Sequence, residues 1–351
     1  MCICLFSKQK QRKTDMKKQI HSLTGLKALF IMLIVMDHTL PDTPLIQSIP
    51  LAPLLSSYGG SWGNAMFFML SGYLLSMGYS ERIRTKNISF KDYLCRRLAK
   101  LYPMYLLSNL VMMPLSVNKY GISVLNLRRI ASVLLLQAGG ALENVFPYNS
   151  SAWFVCALFT CYILYYFVAY HSSNQTQYYS FLVAGIVLGY FLSVRYLDVP
   201  YCYNENGVAY VNFFTGCILS EIIPKIPEKV HGKLSLLFFG SLCCIAYMML
   251  KIGVDQAMGG GVTGYSFIML PMIVFLATVP NIISRILGSK PLVYLGKISI
   301  ATYFWHGVLQ EILLQITGTA EFSDKVFFLY MILLFPACIG IYQLFRLKKA
   351  V

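Results

Sequence analysis

Six ionisable side chains stand in stretches that are otherwise apolar. Lys27, Asp37 and His38 lie in LTGLKALFIMLIVMDH (residues 23–38), and Lys297, His306 and Glu311 in PLVYLGKISIATYFWHGVLQEILL (residues 291–314). An ionisable group in an apolar medium is costly, which makes each a candidate for chemistry. A buried imidazole is held in its neutral form, the form that can take a proton from a hydroxyl, so His38 is the first candidate for a general base. Lys27 precedes it by eleven positions, close to three helical turns, which puts both on one face about 16 Å apart. A cation at one end and a base at the other could hold an extended anionic donor with its reactive end at the base. The plainer reading is that Lys27 snorkels to headgroups and His38 packs. Asp37 could orient His38, although neighbouring helix positions diverge by about 100°, which makes a direct bond doubtful. Lys297 and His306, nine positions apart, fall on opposite faces, and His306 is the better site candidate of the two.

Arg97 and Lys100, in FKDYLCRRLAKLYPMYLL, share a helix face at i, i+3 and suit phosphate oxygens. As a positive anchor beside a span they would serve equally well. Ser71 and Gly72 belong to GGSWGNAMFFMLSGYLLSMGY, where small residues let helices approach closely or line a pocket. Trp153, in NSSAWFVCALF, falls where an interfacial tryptophan is common. His38 and His306 have no Cys or carboxylate spacing that would complete a metal site. The GGG at 259–261 is expected to be a flexible outer turn; no GK[ST] follows it, unlike a phosphate loop. The seven cysteines at 95, 156, 161, 217, 243, 244 and 338 read as small core residues.

The elements that position these groups are membrane helices. Of 351 residues, 57% are hydrophobic and 12% charged, against about a quarter charged in soluble domains. Ten segments are long and apolar enough to span: 23–41, 58–78, 99–116, 150–169, 179–196, 207–223, 233–252, 263–279, 292–315 and 326–345. The stretch 122–138 begins with Arg128 and Arg129 and is expected to be an interfacial or re-entrant helix. The net charge of +15 sits in short segments between apolar runs, a topology signal and not a nucleic-acid face. Of 29 Lys and Arg, 21 fall in segments that an inside N-terminus makes cytosolic and six in outer ones, so both termini are expected in the cytosol. The expected organisation is a basic tail (1–22), one all-α transmembrane domain (23–346) and a short basic tail (347–351). No internal repeat of the kind many transporters show is visible.

In their order, LTGLKALFIMLIVMDH, MFFMLSGYL (66–74), RRLAKLYPMY (96–105), AWFVCALF (152–159) and LGKISIATYFWH (295–306) resemble the integral-membrane acyltransferase-3 family. Lys27 to His38 matches its basic-x10-His signature, and Arg97 to Lys100 stands for its Arg-x-x-Arg, with the bidentate geometry of the second Arg lost. Some members carry a Glu where this chain has Leu158, and some append a hydrolase-like domain. The resemblance implies transfer of an acyl group, most often acetyl, from cytosolic acyl-CoA to a hydroxyl of an exopolysaccharide or other cell-envelope carbohydrate, in a bacterial cytoplasmic membrane. No tightly bound cofactor is implied beyond the acyl-CoA donor substrate. His38 and Asp37 would be catalytic. Lys27, Arg97, Lys100 and Ser71 would bind acyl-CoA, with Ser71 or a backbone NH near Gly72 stabilising the thioester oxyanion. His306, Tyr303 and Trp153 would line the acceptor side. Acetyl or succinyl, and direct transfer or an acyl-enzyme, stay open. The competing class is a transporter or flippase for a glycan or lipid-linked sugar, which would act without acyl-CoA.

Overall fold

A computed structural model describes residues 2–41, 43–136, 148–195, 197, 199–253 and 264–347. Among these there is no strand, and ten helices carry the architecture. They are α1 (Cys2–Thr39), α2 (Ala52–Arg84), α3 (Phe90–Tyr120), α4 (Phe154–His171), α5 (Gln175–Arg195), α6 (Asn204–Ile222), α7 (Glu228–Ile252), α8 (Tyr265–Thr278), α9 (Lys290–Thr317) and α10 (Asp324–Leu347). Each of the ten apolar segments overlaps one of them. Six helical stretches are long and apolar enough to cross a membrane: Lys18–Thr39, Ser150–His171, Gln175–Arg195, Asn204–Lys225, Glu228–Ile252 and Asp324–Arg346. The helices α2, α3 and α9 are as long but interleave their apolar residues with Gly, Ser, Asn, Thr and charged groups.

Local chemistry sets the ends. The first helix stops at Thr39, two residues before Pro41, because a proline disfavours helix in the residue before it. Ser89 caps α3: its Oγ accepts from the Asp92 N–H at 3.1 Å and donates to the Asp92 carboxylate at 2.9 Å. Gly121 (φ +79°) and Gly253 (φ +85°) end α3 and α7 in a backbone region that suits glycine.

The backbone of the basic N-terminal segment is helical and continuous with α1 from Cys2. Two expectations change. The stretch 122–136 is no single helix but a 3-10 turn (Ile122–Val124), a short helix (Leu127–Ala131) and a π turn (Ser132–Leu136) in which Leu135 takes φ +61°. Asn126 starts a new helical turn by accepting from the Arg129 N–H, which breaks the continuity that the apolar pattern suggested. Cys95, Cys243 and Cys244 are exposed, unlike the buried Cys156, Cys161, Cys217 and Cys338. The GGG at 259–261 and residues 137–138 lie outside the described residues.

The chain divides into two compact units, Met1–Met32 with Ile222–Ser299, and Leu33–Glu221 with Ile300–Val351. Within the first, α1 packs backbone to backbone: an added Cβ at Gly25 would strike the Leu287 carbonyl, and one at Gly296 the Thr24 carbonyl. Ser22 donates to the Ala277 carbonyl. Within the second, α2 and α6 touch through Gly72, whose Cβ would strike the Phe213 carbonyl, and Gly216, whose Cβ would strike that of Met69. Such contacts let helices associate where no hydrophobic effect drives them. Gly72 is thus held in a helix contact, and a backbone NH loosened around it for catalysis does not fit this packing.

Candidate active site

The second unit brings His38, Asp37, His306 and Tyr303 together. The rings of His38 and His306 are 5.2 Å apart, edge to face. The exposed His38 has its Nδ1 2.8 Å from the Ile34 carbonyl one turn back. A carbonyl only accepts, so Nδ1 carries the proton and Nε2 keeps its lone pair. The Asp37 carboxylate is 3.8 Å from the same Nδ1, too far for a hydrogen bond. Ile34, not Asp37, therefore sets the tautomer. The position of Asp37 depends on α2: an added Cβ at Gly60 would lie 2.6 Å from Asp37 Oδ2.

His306 is fully buried. Its Nδ1 donates to the Tyr303 carbonyl at 2.8 Å, and its Nε2 is buried without a hydrogen-bond partner. Such an atom costs about 1–3 kcal/mol. The chain keeps a second one nearby on a residue that sequence reasoning missed. Asn149 is 1% exposed. It accepts nothing at Oδ1, while its Nδ2 donates to the Phe304 carbonyl at 2.7 Å and to Ser108 Oγ at 3.2 Å. Its backbone N–H donates to Asn109 Oδ1 at 3.0 Å. Asn149 thereby ties α3 to α9 beside the histidine. The NSS that precedes Trp153, polar residues at the mouth of an apolar run, was the available signal.

An aromatic wall stands next along α2. Phe68 packs on Phe154 (4.1 Å) and on Trp153 (6.3 Å), and Tyr303 on Phe154 (5.4 Å) and Phe67 (6.3 Å). The Tyr303 hydroxyl donates to the Ser151 carbonyl. The other candidates are set apart. Ser71 hydrogen-bonds Tyr162 and is eleven residues, about 16 Å, along α2 from Gly60, which separates it from a thioester at His38. Arg97 Nη2 donates to the Tyr79 hydroxyl at 2.7 Å, with its Cζ 4.6 Å from that ring. Lys100 is exposed on α3. Lys27 is half-buried on the part of α1 that belongs to the first unit, eleven positions before His38 on one unbroken helix. Glu311 accepts from Lys119 Nζ at 2.9 Å and from Gln315 at 3.0 Å, which places it in an ion pair and not at the imidazoles. Among the described residues no three His, Cys, Asp or Glu side chains cluster as metal ligands.

Two imidazoles side by side, each with an Nε2 lone pair that no donor of the chain meets, can accept hydrogen bonds from a hydroxyl. A family model described as an acyltransferase domain, of the acyltransferase-3 type, matches residues 20–346. The chain belongs to this acyltransferase family. Among curated proteins it is similar to the O-acetyltransferase OatA of Staphylococcus aureus strains NCTC 8325 / PS 47 and COL, 25% identical over 276 residues, which are 71% of this chain and 45% of each relative. It thus spans about half the length of these relatives. No solved structure matches it. In this member of the family, His38 and His306 fall in the first and last of the stretches that carried the resemblance.

Proposed function

We propose that the protein is a membrane O-acyltransferase that moves an acyl group, acetyl by likeness to the relatives' printed name, from cytosolic acyl-CoA to a hydroxyl of an exopolysaccharide or other cell-envelope carbohydrate. The chain would lie in a bacterial cytoplasmic membrane with ten spans and both termini inside. The observation that carries the reading is the His38 tautomer, which leaves Nε2 free to accept.

His38 Nε2 takes the proton of the acceptor hydroxyl as its oxygen bonds to the acyl carbon. The carbon–sulfur bond then breaks, and the CoA thiolate leaves with the proton that His38 returns. Asp37 steadies the imidazolium in between, and His306 and Asn149 hold the acceptor. Lys27, Arg97 and Lys100 hold phosphates of the donor, with Ser71 along its arm. Trp153 and Tyr303 belong to the aromatic wall between the two substrates.

The test is mass spectrometry of envelope glycan and exopolysaccharide from a deletion strain, complemented with wild type or with His38→Ala. Loss of an O-acyl mass increment, restored by wild type alone, supports the reading and names acyl group and acceptor. The variant should retain less than a hundredth of the activity, since a general base contributes about 10²–10⁴-fold. Unchanged acylation with reduced surface glycan would overturn it in favour of transport.

A further inference from the structure

His38 stands in the last turn of α1, a helix that ends too soon to hold it alone. Thr39 Oγ1 donates to the Val35 carbonyl at 2.7 Å, and the Leu40 N–H to that of Met36 at 3.0 Å. The next donor along the chain would come from Pro41, which has no N–H. The helix's own ladder therefore stops at the base. Helix ends fray, and their last carbonyls need partners from elsewhere.

α9 supplies one. Gln310 Nε2 donates to the His38 carbonyl at 2.8 Å, and His306, four positions earlier, sets its ring 5.2 Å from that of His38. Positions i and i+4 share a helix face about 6 Å apart along the axis, so one stripe of α9 meets His38 at both ring and backbone. His38, His306 and Gln310 all belong to the second compact unit. A helical side chain leans toward the N-terminus, which carries the His38 ring back to the Ile34 carbonyl, while the His38 carbonyl points onward to Gln310. The Ile34 bond decides which ring nitrogen is protonated. Lying within α1, it does not decide where that last turn stands against α9. Resting on the acyl-transfer reading above, we propose that Gln310 is a positioning residue for the reaction: its amide holds the last turn of α1 so that His38 Nε2 meets the acceptor hydroxyl beside His306. Gln310 touches no reacting atom in this role and acts through His38.

The test compares wild type with Gln310→Met, which keeps the unbranched length and loses the donor, and with Gln310→Lys, which keeps a donor. The rate of O-acylation is measured in the complemented deletion strain. The ring-nitrogen magnetic resonance signals of His38, assigned by their loss in His38→Ala, are measured on the full chain with isotope-labelled histidine in detergent micelles. Since a misplacement of about 1 Å costs up to about a hundredfold, Gln310→Met should lose roughly tenfold to a hundredfold in rate. It should also shift or broaden the His38 signals and melt within a few degrees of wild type. Gln310→Lys should recover part of both rate and signals. A Gln310→Met rate within about twofold of wild type would overturn the proposal. A lost rate with unmoved His38 signals would overturn it in favour of direct contact between Gln310 and the acceptor. If Gln310→Met melts early, Gln310→Lys decides: a recovered rate upholds the proposal, and a rate as low as that of Gln310→Met overturns it. If wild type restores no acylation, the acyl-transfer reading falls and this inference with it.

Discussion

Two polar regions lie five residues apart on α9 and are built oppositely. Around Glu311 the acceptors are met: Lys119 and Gln315 donate to its two carboxylate oxygens, Gln315 also donates to the Leu115 carbonyl, and Asn118 donates to Gln315. One turn and a half back, His306 Nε2 is left bare in a fully buried ring. The first arrangement joins the end of α3 to the end of α9 and needs nothing further. The second is incomplete: a buried acceptor without a donor stands beside His38, and under the proposed function a substrate hydroxyl would complete it. Ionisable residues in an apolar helix are thus of two kinds, told apart by whether the chain already satisfies them.

The contrast breaks most visibly at His306. His306→Phe fills the ring's space and removes the acceptor. Acylation is expected to fall about tenfold to a hundredfold, as for one lost interaction with the reacting group, with little change in thermal stability because a bare buried atom is removed with it. A variant with full activity, measured as O-acyl content per protein in the complemented deletion strain, would make His306 a packing residue.

Much of this was legible in the sequence. Each apolar segment overlaps a helix, and six helical stretches are long and apolar enough to cross a membrane, because runs of that length and hydropathy are visible whatever their neighbours are. Ionisable residues in those periods found His38 and His306, and their separate helices hid that the rings touch. What depended on tertiary partners was not legible: that Lys119 answers Glu311, that Ile34 and not Asp37 holds His38, that Gly72 serves α6, and that Asn149 bridges α3 and α9. The break at Leu135 was hidden too, since an apolar run reads alike whether or not its backbone continues.

A smaller effect sharpens the comparison at α2. At Gly60 an added Cβ meets the end of the Asp37 side chain, and at Gly59 it meets the Leu33 carbonyl at 2.5 Å. Asp37 can turn away, whereas the backbone cannot. Gly60→Ala should therefore keep the fold and lose roughly threefold to tenfold in rate through a displaced carboxylate. Gly59→Ala should lower the melting temperature as α1 and α2 are pushed apart. Equal effects of the two would mean that Asp37 has no part in the chemistry.

The smallest effect belongs to the satisfied region. The hydrogen bond from Lys119 to Glu311 raises the Lys119 pKa above its ordinary 10.5. A raised lysine stabilises the fold fully below its unfolded value and loses that contribution only as pH climbs through the folded one, so neutral and mildly alkaline conditions leave the pair intact. Lys119 is about a third exposed, and pairs of that kind contribute roughly 0–1 kcal/mol. Lys119→Met should lower the melting temperature in detergent by a few degrees at pH 7, with the gap to wild type narrowing only at pH above the ordinary lysine value of 10.5. Acylation should stay within about twofold of wild type. A large loss of acylation with unchanged stability would move Glu311 from the closed region of α9 into the open one, and the distinction between the two would have to be drawn elsewhere on the helix.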